Sequence, residues 1–228
     1  MKRCILTVGA GLLAAAMASP SFAADLARPP FYKAPIAPYV APFSWSGFYI
    51  GLNGGYGWGT SDWTIEGSGL STGDFDVNGG VAGATLGYNL QTGNWVWGIE
   101  GDFDASWIRG TETTFCGTPG CETRNNWLIT GRARVGYTWN RFMPFLTGGV
   151  AAGDIKMTTP ASTSDTPSQV GWTAGAGVEW AFTGAWSAKV DYLYADLGTA
   201  TCEAQFCGVP TDVSLKLNLV RAGINYRF

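Results

Sequence analysis

The chain has 228 residues, with 33 glycines, 11 Trp, 9 Tyr and 12 Phe, but only 14 basic and 17 acidic side chains and no histidine. Glycine at about twice its usual share of roughly 7%, with few charges and many apolar residues, excludes disorder, which needs low hydrophobicity and high net charge. The lack of histidine removes Ser-His-Asp and Cys-His catalysis and most transition-metal sites, so neither an enzyme nor a cofactor is expected.

Residues 1–23 read as a secretory signal peptide. Lys2 and Arg3 precede an apolar run from Ile5 to Met17, followed by Pro20, Ser21, Phe22 and Ala23, the order of basic, apolar and small residues that a signal peptidase recognises. The run falls short of the ~20 apolar residues of a membrane helix. Cys4 precedes it and so is no lipid acceptor. Removal of Lys2 and Arg3 leaves 12 basic and 17 acidic residues, a net charge of −5, which disfavours nucleic acid as a partner. Residues 24–46 form a proline-rich lead (Pro29, Pro30, Pro35, Pro38, Pro42), expected as an extended linker. Residues 47–228 form the folded domain.

From Gly47 the apolar residues recur with period two. The first strand alternates Phe48, Ile50, Leu52, Gly54, Tyr56 and Trp58, and the second Ala82, Ala84, Leu86, Tyr88 and Leu90. The third sets Trp95, Trp97, Ile99, Phe103 and Trp107 against Glu100, Asp102, Asp104 and Ser106. The fourth runs Trp127, Ile129, Ala133, Val135, Tyr137, Trp139; the sixth Val170 to Phe182 by twos; the seventh Trp186, Ala188, Val190, Tyr192, Tyr194. Such alternation is a β signal. Eight strands are predicted, over 47–58, 77–90, 95–109, 126–139, 142–155, 169–182, 186–196 and 213–228. The fifth is ambiguous in phase. The eighth changes parity between Leu215, Leu217, Leu219 and Val220, Ala222, Ile224, which a bulge near Leu219 or a rim segment facing away from lipid would explain.

Strands too apolar for a water-facing surface, with no membrane helix after the signal, imply a closed barrel, because lipid leaves no edge satisfied. The expected fold is therefore all-β, an eight-stranded antiparallel up-and-down transmembrane barrel. Tight turns near 91–94, 139–141 and 183–185 alternate with long loops at 59–76, 110–125, 156–168 and 197–212, the layout of outer-membrane barrels with turns in the periplasm and loops outside. Trp95 and Trp107 are separated by about 30 Å of membrane normal at ~3.3 Å per residue and ~40° tilt, one hydrocarbon thickness.

If those two aromatic belts align across the third and fourth strands, Glu100 faces Arg134 and Asp102 faces Arg132. Across the next tight turn Glu179 faces Lys189. Five acids (Glu100, Asp102, Asp104, Glu179, Asp191) and five bases (Arg132, Arg134, Lys189, Arg221, Arg227) would then point inward, paired because a lone buried charge is unfavourable. A packing network is preferred to an ion path, since eight strands leave an interior that side chains can fill.

Four cysteines remain after signal removal, Cys116 with Cys121 and Cys202 with Cys207. The two loops lie on opposite sides of an eight-membered ring, so of three connectivities the two bridges within loops are favoured, as expected outside the inner membrane. A metal site is the alternative, weakened by the missing histidine.

Arg221-Ala222-Gly223-Ile224-Asn225-Tyr226-Arg227-Phe228 resembles the C-terminal signal of outer-membrane proteins, in which a polar residue, a glycine two later and aromatics at the third-last and last positions are bound by the barrel-assembly machinery. Ala23-Ala24-Asp25-Leu26, Tyr32-Lys33-Ala34-Pro35 and above all Phe43-Ser44-Trp45-Ser46-Gly47-Phe48-Tyr49-Ile50-Gly51-Leu52-Asn53-Gly54-Gly55-Tyr56-Gly57 resemble the small outer-membrane β-barrel family of alphaproteobacteria, which includes surface antigens of brucellae and rhizobia. The cysteine pairs depart from that family's pattern. The resemblance implies a protein of the outer membrane that supports envelope integrity, contacts outer-membrane lipid and the assembly machinery, and presents loops to host or surface ligands. The alternative is a narrow porin or small-ligand carrier.

Overall fold

The computed structural model describes residues 43–114, 116–118, 120–159, 164–207 and 209–228. The expected signal peptide and residues 24–42 of the lead lie outside the described residues. Ten strands and one helical turn follow in order: β1 (Gly47–Ile65), β2 (Phe75–Thr92), β3 (Trp95–Glu112), β4 (Cys121–Tyr137), β5 (Phe142–Asp154), β6 (Lys156–Thr158), β7 (Ser164–Asp165), β8 (Ser168–Thr183), β9 (Trp186–Cys202), α1 (Ala204–Cys207) and β10 (Thr211–Arg227). Each long strand pairs antiparallel with its neighbour in sequence, and β10 returns to pair with β1. The pairing of β3 with β4 completes the circle. The result is the expected eight-membered barrel, with β6 and β7 as a small hairpin carried on the loop end of β4.

The turns at one end are short because their residues suit them. Gly93, at φ 62°, begins the two-residue link between β2 and β3, a position that favours glycine. Asn140, at φ 57°, lies in the link between β4 and β5, where asparagine tolerates the left-handed region better than branched residues. At the other end the strands run well past the predicted limits. β1 has 19 residues and β9 has 17, against the 9–11 that a tilted strand needs to cross a bilayer. About half of what the period-two pattern left as loops is a continuation of the sheet beyond the membrane. The alternation weakens there because the outward face meets water and no longer has to be apolar.

The structure decides two phases that the sequence left open, the second in favour of a rim segment facing away from lipid, and corrects one register. β5 has a single phase: Met143 and Phe145 are buried, while Phe142 and Leu146 are exposed on the outside. In β10 no switch of face occurs at Leu219. Leu215, Leu217, Leu219 and Arg221 all point inward and are buried, whereas Val220, Ile224 and Tyr226 are exposed. The parity change reflects an interior that is apolar at the loop end and polar lower down. The β3–β4 register is offset by two residues from the aligned belts, so that Trp95 pairs with Tyr137, Glu100 with Arg132 and Gly98 with Arg134. Trp139 instead bridges to Phe142 in the turn. A register shift follows between Ala105 and Ile108.

The exterior is the apolar face. Leu52 is 72% exposed, Ile99 67% and Val170 71%, values that a water-facing surface would not tolerate over a continuous band. Aromatic rings gird the turn end, with Phe48 against Tyr88 at 4.7 Å between centroids, Trp95 against Tyr137 at 5.3 Å and Trp186 against Tyr226 at 5.0 Å. Trp58, Trp107 and Trp172 are exposed toward the loop end.

Candidate functional site

The interior is stacked in three layers. At the turn end Trp45, Val96, Met143 and Ala181 are buried together, with Phe43 packed against them. The Trp45 backbone N–H donates to Gln91 Oε1 at 2.7 Å and its indole N–H to the Asn140 carbonyl at 3.2 Å. The Arg227 guanidinium sits 4.4 Å from the centre of the Phe43 ring and 5.4 Å from that of Trp45. Phe43 to Ser46, read from sequence as the end of a linker, thus packs into the barrel mouth. At the loop end Trp63, Phe75, Val77, Val81, Ile108, Leu128, Met157, Leu193, Leu197, Leu215, Leu217 and Leu219 form one apolar cluster.

Between these layers lies a buried ion-pair network. Glu100 is its hub: one oxygen accepts from Arg132 Nη2 at 2.5 Å, and the other from Lys189 Nζ at 2.9 Å, Arg134 Nη1 at 3.3 Å and the Tyr49 hydroxyl at 2.7 Å. Arg132 also donates to Asp102, which accepts further from Thr85 Oγ1 at 2.7 Å and Thr130 Oγ1 at 2.9 Å. Arg134 reaches across to Glu179 at 2.7 Å, and Ser187 and Asn225 complete that carboxylate at 2.6 and 3.0 Å. Arg221 holds Asp191 through Nε and Nη2, at 3.2 and 2.9 Å, and Asp104 through Nη1 at 2.8 Å. Phe145 on β5 lies under Arg134, with the guanidinium 4.1 Å from the ring centre. All eight ring strands therefore contribute.

Two of the three sequence-predicted pairs meet and the third does not. Glu100 and Asp102 contact Arg134 and Arg132 as diagonal neighbours, two residues in register from the expected direct pairs. Glu179 and Lys189 are opposite in register, but the expected pair does not form. Lys189 leans across the lumen to Glu100, and Glu179 is taken by Arg134. The reason is geometric: in a narrow barrel a long side chain spans the lumen as easily as it reaches its sheet neighbour. Arg227, expected in the network, lies at the mouth against Phe43, leaving five acids with four bases in the polar layer.

Tyr49 was missed by charge counting. Its signal was positional, since it is a large ring at an inward position among Gly47, Gly51, Asn53 and Gly55. Across the sheet, a Cβ at Gly87 would collide with the Tyr49 ring and hydroxyl, so this glycine makes room for the ring that braces Glu100.

The four cysteines close two bridges at the loop end, Cys116 to Cys121 and Cys202 to Cys207. Cys121 and Cys202 are also members of the apolar cluster. At the C-terminus Arg221 and Gly223 face inward, whereas Tyr226 and Phe228 face outward, with Phe228 77% exposed. Among the described residues no three Cys, Asp or Glu side chains are placed to hold a metal ion.

Comparison with known proteins places this geometry in context. The family described as "Outer membrane protein beta-barrel domain" matches residues 10–228. The chain is 37% identical to the 31 kDa outer-membrane immunogenic protein of Brucella melitensis, over 95% of this chain and 97% of that protein. It is 34% identical to the 25 kDa outer-membrane immunogenic protein of Brucella abortus, over 98% and 97%. Among solved structures, Neisserial surface protein A is 14% identical with a TM-score of 0.49, covering 80% of this chain and 98% of that one.

Proposed function

Since the chain belongs to the outer membrane protein β-barrel family, and so resides in the outer membrane, we propose that it serves there as a sealed structural barrel that supports the envelope and presents surface tips. It performs no reaction. The observation that carries this reading is the filled interior: among the described residues an aromatic cork, a cross-linked ion network and a largely apolar layer follow one another where a porin would need a continuous polar path. A porin needs such a path, because an ion leaving water for an apolar layer loses its hydration. The strand extensions and their disulfide-closed tips support a role at the cell surface, where a rigid projecting sheet displays short loops to host or surface ligands. The terminal Tyr226 and Phe228, outward on the strand that closes the ring, support recognition by the barrel-assembly machinery through strand pairing.

Planar bilayers test the reading. The purified mature protein is expected to give no stable open level. A reproducible conducting state of appreciable size would favour the alternative, a narrow porin or small-ligand carrier.

A further inference from the structure

Three bases stand side by side on the outer face of the loop end. Arg109 on β3 is the direct register partner of Arg124 on β4, and Arg124 is in turn the partner of Lys156 on β6. Their chain neighbours Ile108, Thr123, Asn125, Ile155 and Met157 are buried in the interior, so the three bases point outward. Like charges directly opposite on one sheet face repel. Elsewhere on this face the protein avoids that arrangement: Lys216 on β10 has Asp196 as its register partner. In the basic row, Glu122 takes one guanidinium nitrogen of Arg124 at 2.9 Å, while neither Arg109 nor Lys156 forms an ion pair among the described residues. The register shift between Ala105 and Ile108 opens a hollow of about 170 Å³ beneath the row, lined by Ser106, Trp107, Arg109, Arg124 and Asn126.

The height of the row identifies what meets it. Arg109 lies two residues beyond Trp107, about 5 Å farther along the membrane normal at ~3.3 Å per residue and ~40° tilt, which is headgroup depth. Below the row the same outward columns carry Phe103 and Trp107, Ile129, and Val150, all but Trp107 within the apolar band. A ligand here has anionic groups at the row and hydrocarbon running down the barrel wall.

We propose that Arg109, Arg124 and Lys156 form a binding site for the phosphate groups of a phosphorylated glycolipid of the outer leaflet, with its acyl chains on the columns below. The inference rests on the loop end facing outward, which labelling of intact cells tests separately. The folded mature protein in detergent is titrated with bisphosphorylated lipid A, and bound lipid is counted by native mass spectrometry. Each Arg109→Gln, Arg124→Gln or Lys156→Gln change is expected to weaken binding about fivefold, and the triple variant about a hundredfold. Lys216→Gln, across the ring, is expected to leave binding unchanged. Dephosphorylated lipid A is expected to bind the unaltered protein about a hundredfold more weakly than lipid A does, a comparison that needs no variant to fold. Equal binding of lipid A by the triple variant overturns the site. So does equal binding of the dephosphorylated lipid, which would leave only the apolar wall. Inorganic phosphate displacing lipid A at equal concentration would assign the row to free phosphate and overturn the lipid.

Discussion

Replacing Glu100 by Gln removes the shared acceptor of Arg132, Arg134 and Lys189 and leaves three bases to redistribute over the remaining acids. Breaking one side of a buried network is expected to destabilise by about 3–5 kcal/mol, read from urea unfolding in lipid vesicles. Because Arg134 also binds Glu179, Glu100→Gln and Arg134→Gln are expected to be non-additive by about 1 kcal/mol or more in a double-mutant cycle; strict additivity would show that the two do not share an interaction. Gly87→Ala is expected to destabilise by about 1–3 kcal/mol through overpacking against Tyr49. In a Tyr49→Leu background the same change is expected to be milder, since the obstructing ring is gone. That pair of measurements separates a steric role for Gly87 from a simple strand-propensity effect, which would persist in both backgrounds.

At the scale of the element, β10 carries two roles on two faces. Arg221 and Asn225 face inward and hold the acids of β8 and β9, while Tyr226 and Phe228 present aromatic rings outside. Deleting Phe228 leaves the interior network untouched but removes the terminal outward ring. The expected outcome is loss of the fast-migrating unheated band and of outer-membrane recovery from cells, with in vitro refolding into vesicles retained. The extended strand ends form a second such element. Each disulfide closes a loop with a sequence separation of 5, worth about 2 kcal/mol in the chain-entropy estimate. Reduction is therefore expected to expose the tips to protease while a protected barrel fragment survives; collapse of the whole barrel on reduction would show that Cys121 and Cys202 matter to the core beyond closing their loops.

For the whole molecule, the three stacked layers make the seal redundant. Trp45→Ala opens the turn-end mouth but leaves the ion network and the apolar cluster in place, so the variant is expected to remain non-conducting in planar bilayers. Conductance in that variant would mean that the upper layers pass ions. Orientation is tested with Ser68→Cys, at the exposed tip between β1 and β2. A membrane-impermeant maleimide is expected to label it on intact cells, and labelling only after lysis would reverse the topology.

The chain's period-two pattern, its count of apolar runs and its alternation of short and long links were sufficient to specify an eight-stranded barrel, because lipid enforces apolar residues on one face of each crossing strand. The same logic named the polar layer's acids and bases, since charges on the opposite face have nowhere to go but the lumen. The contacts of Glu100 with Arg134 and Asp102 with Arg132 were legible too, but the register behind them and the remaining partners were decided only in three dimensions. Lys189 passes over its register partner Glu179 for Glu100, and Arg132 and Arg134 are set two residues from the belt alignment, because partners across a closed lumen are fixed by strand register and side-chain reach. The apolar layer and the Trp45 cork were likewise hidden. Leu215 to Leu219 look like a change of face in one dimension, and a tryptophan before the first strand has no period to declare it. A closed ring gives residues far apart in sequence a common interior, and that interior, unlike the lipid, imposes no single pattern along the chain.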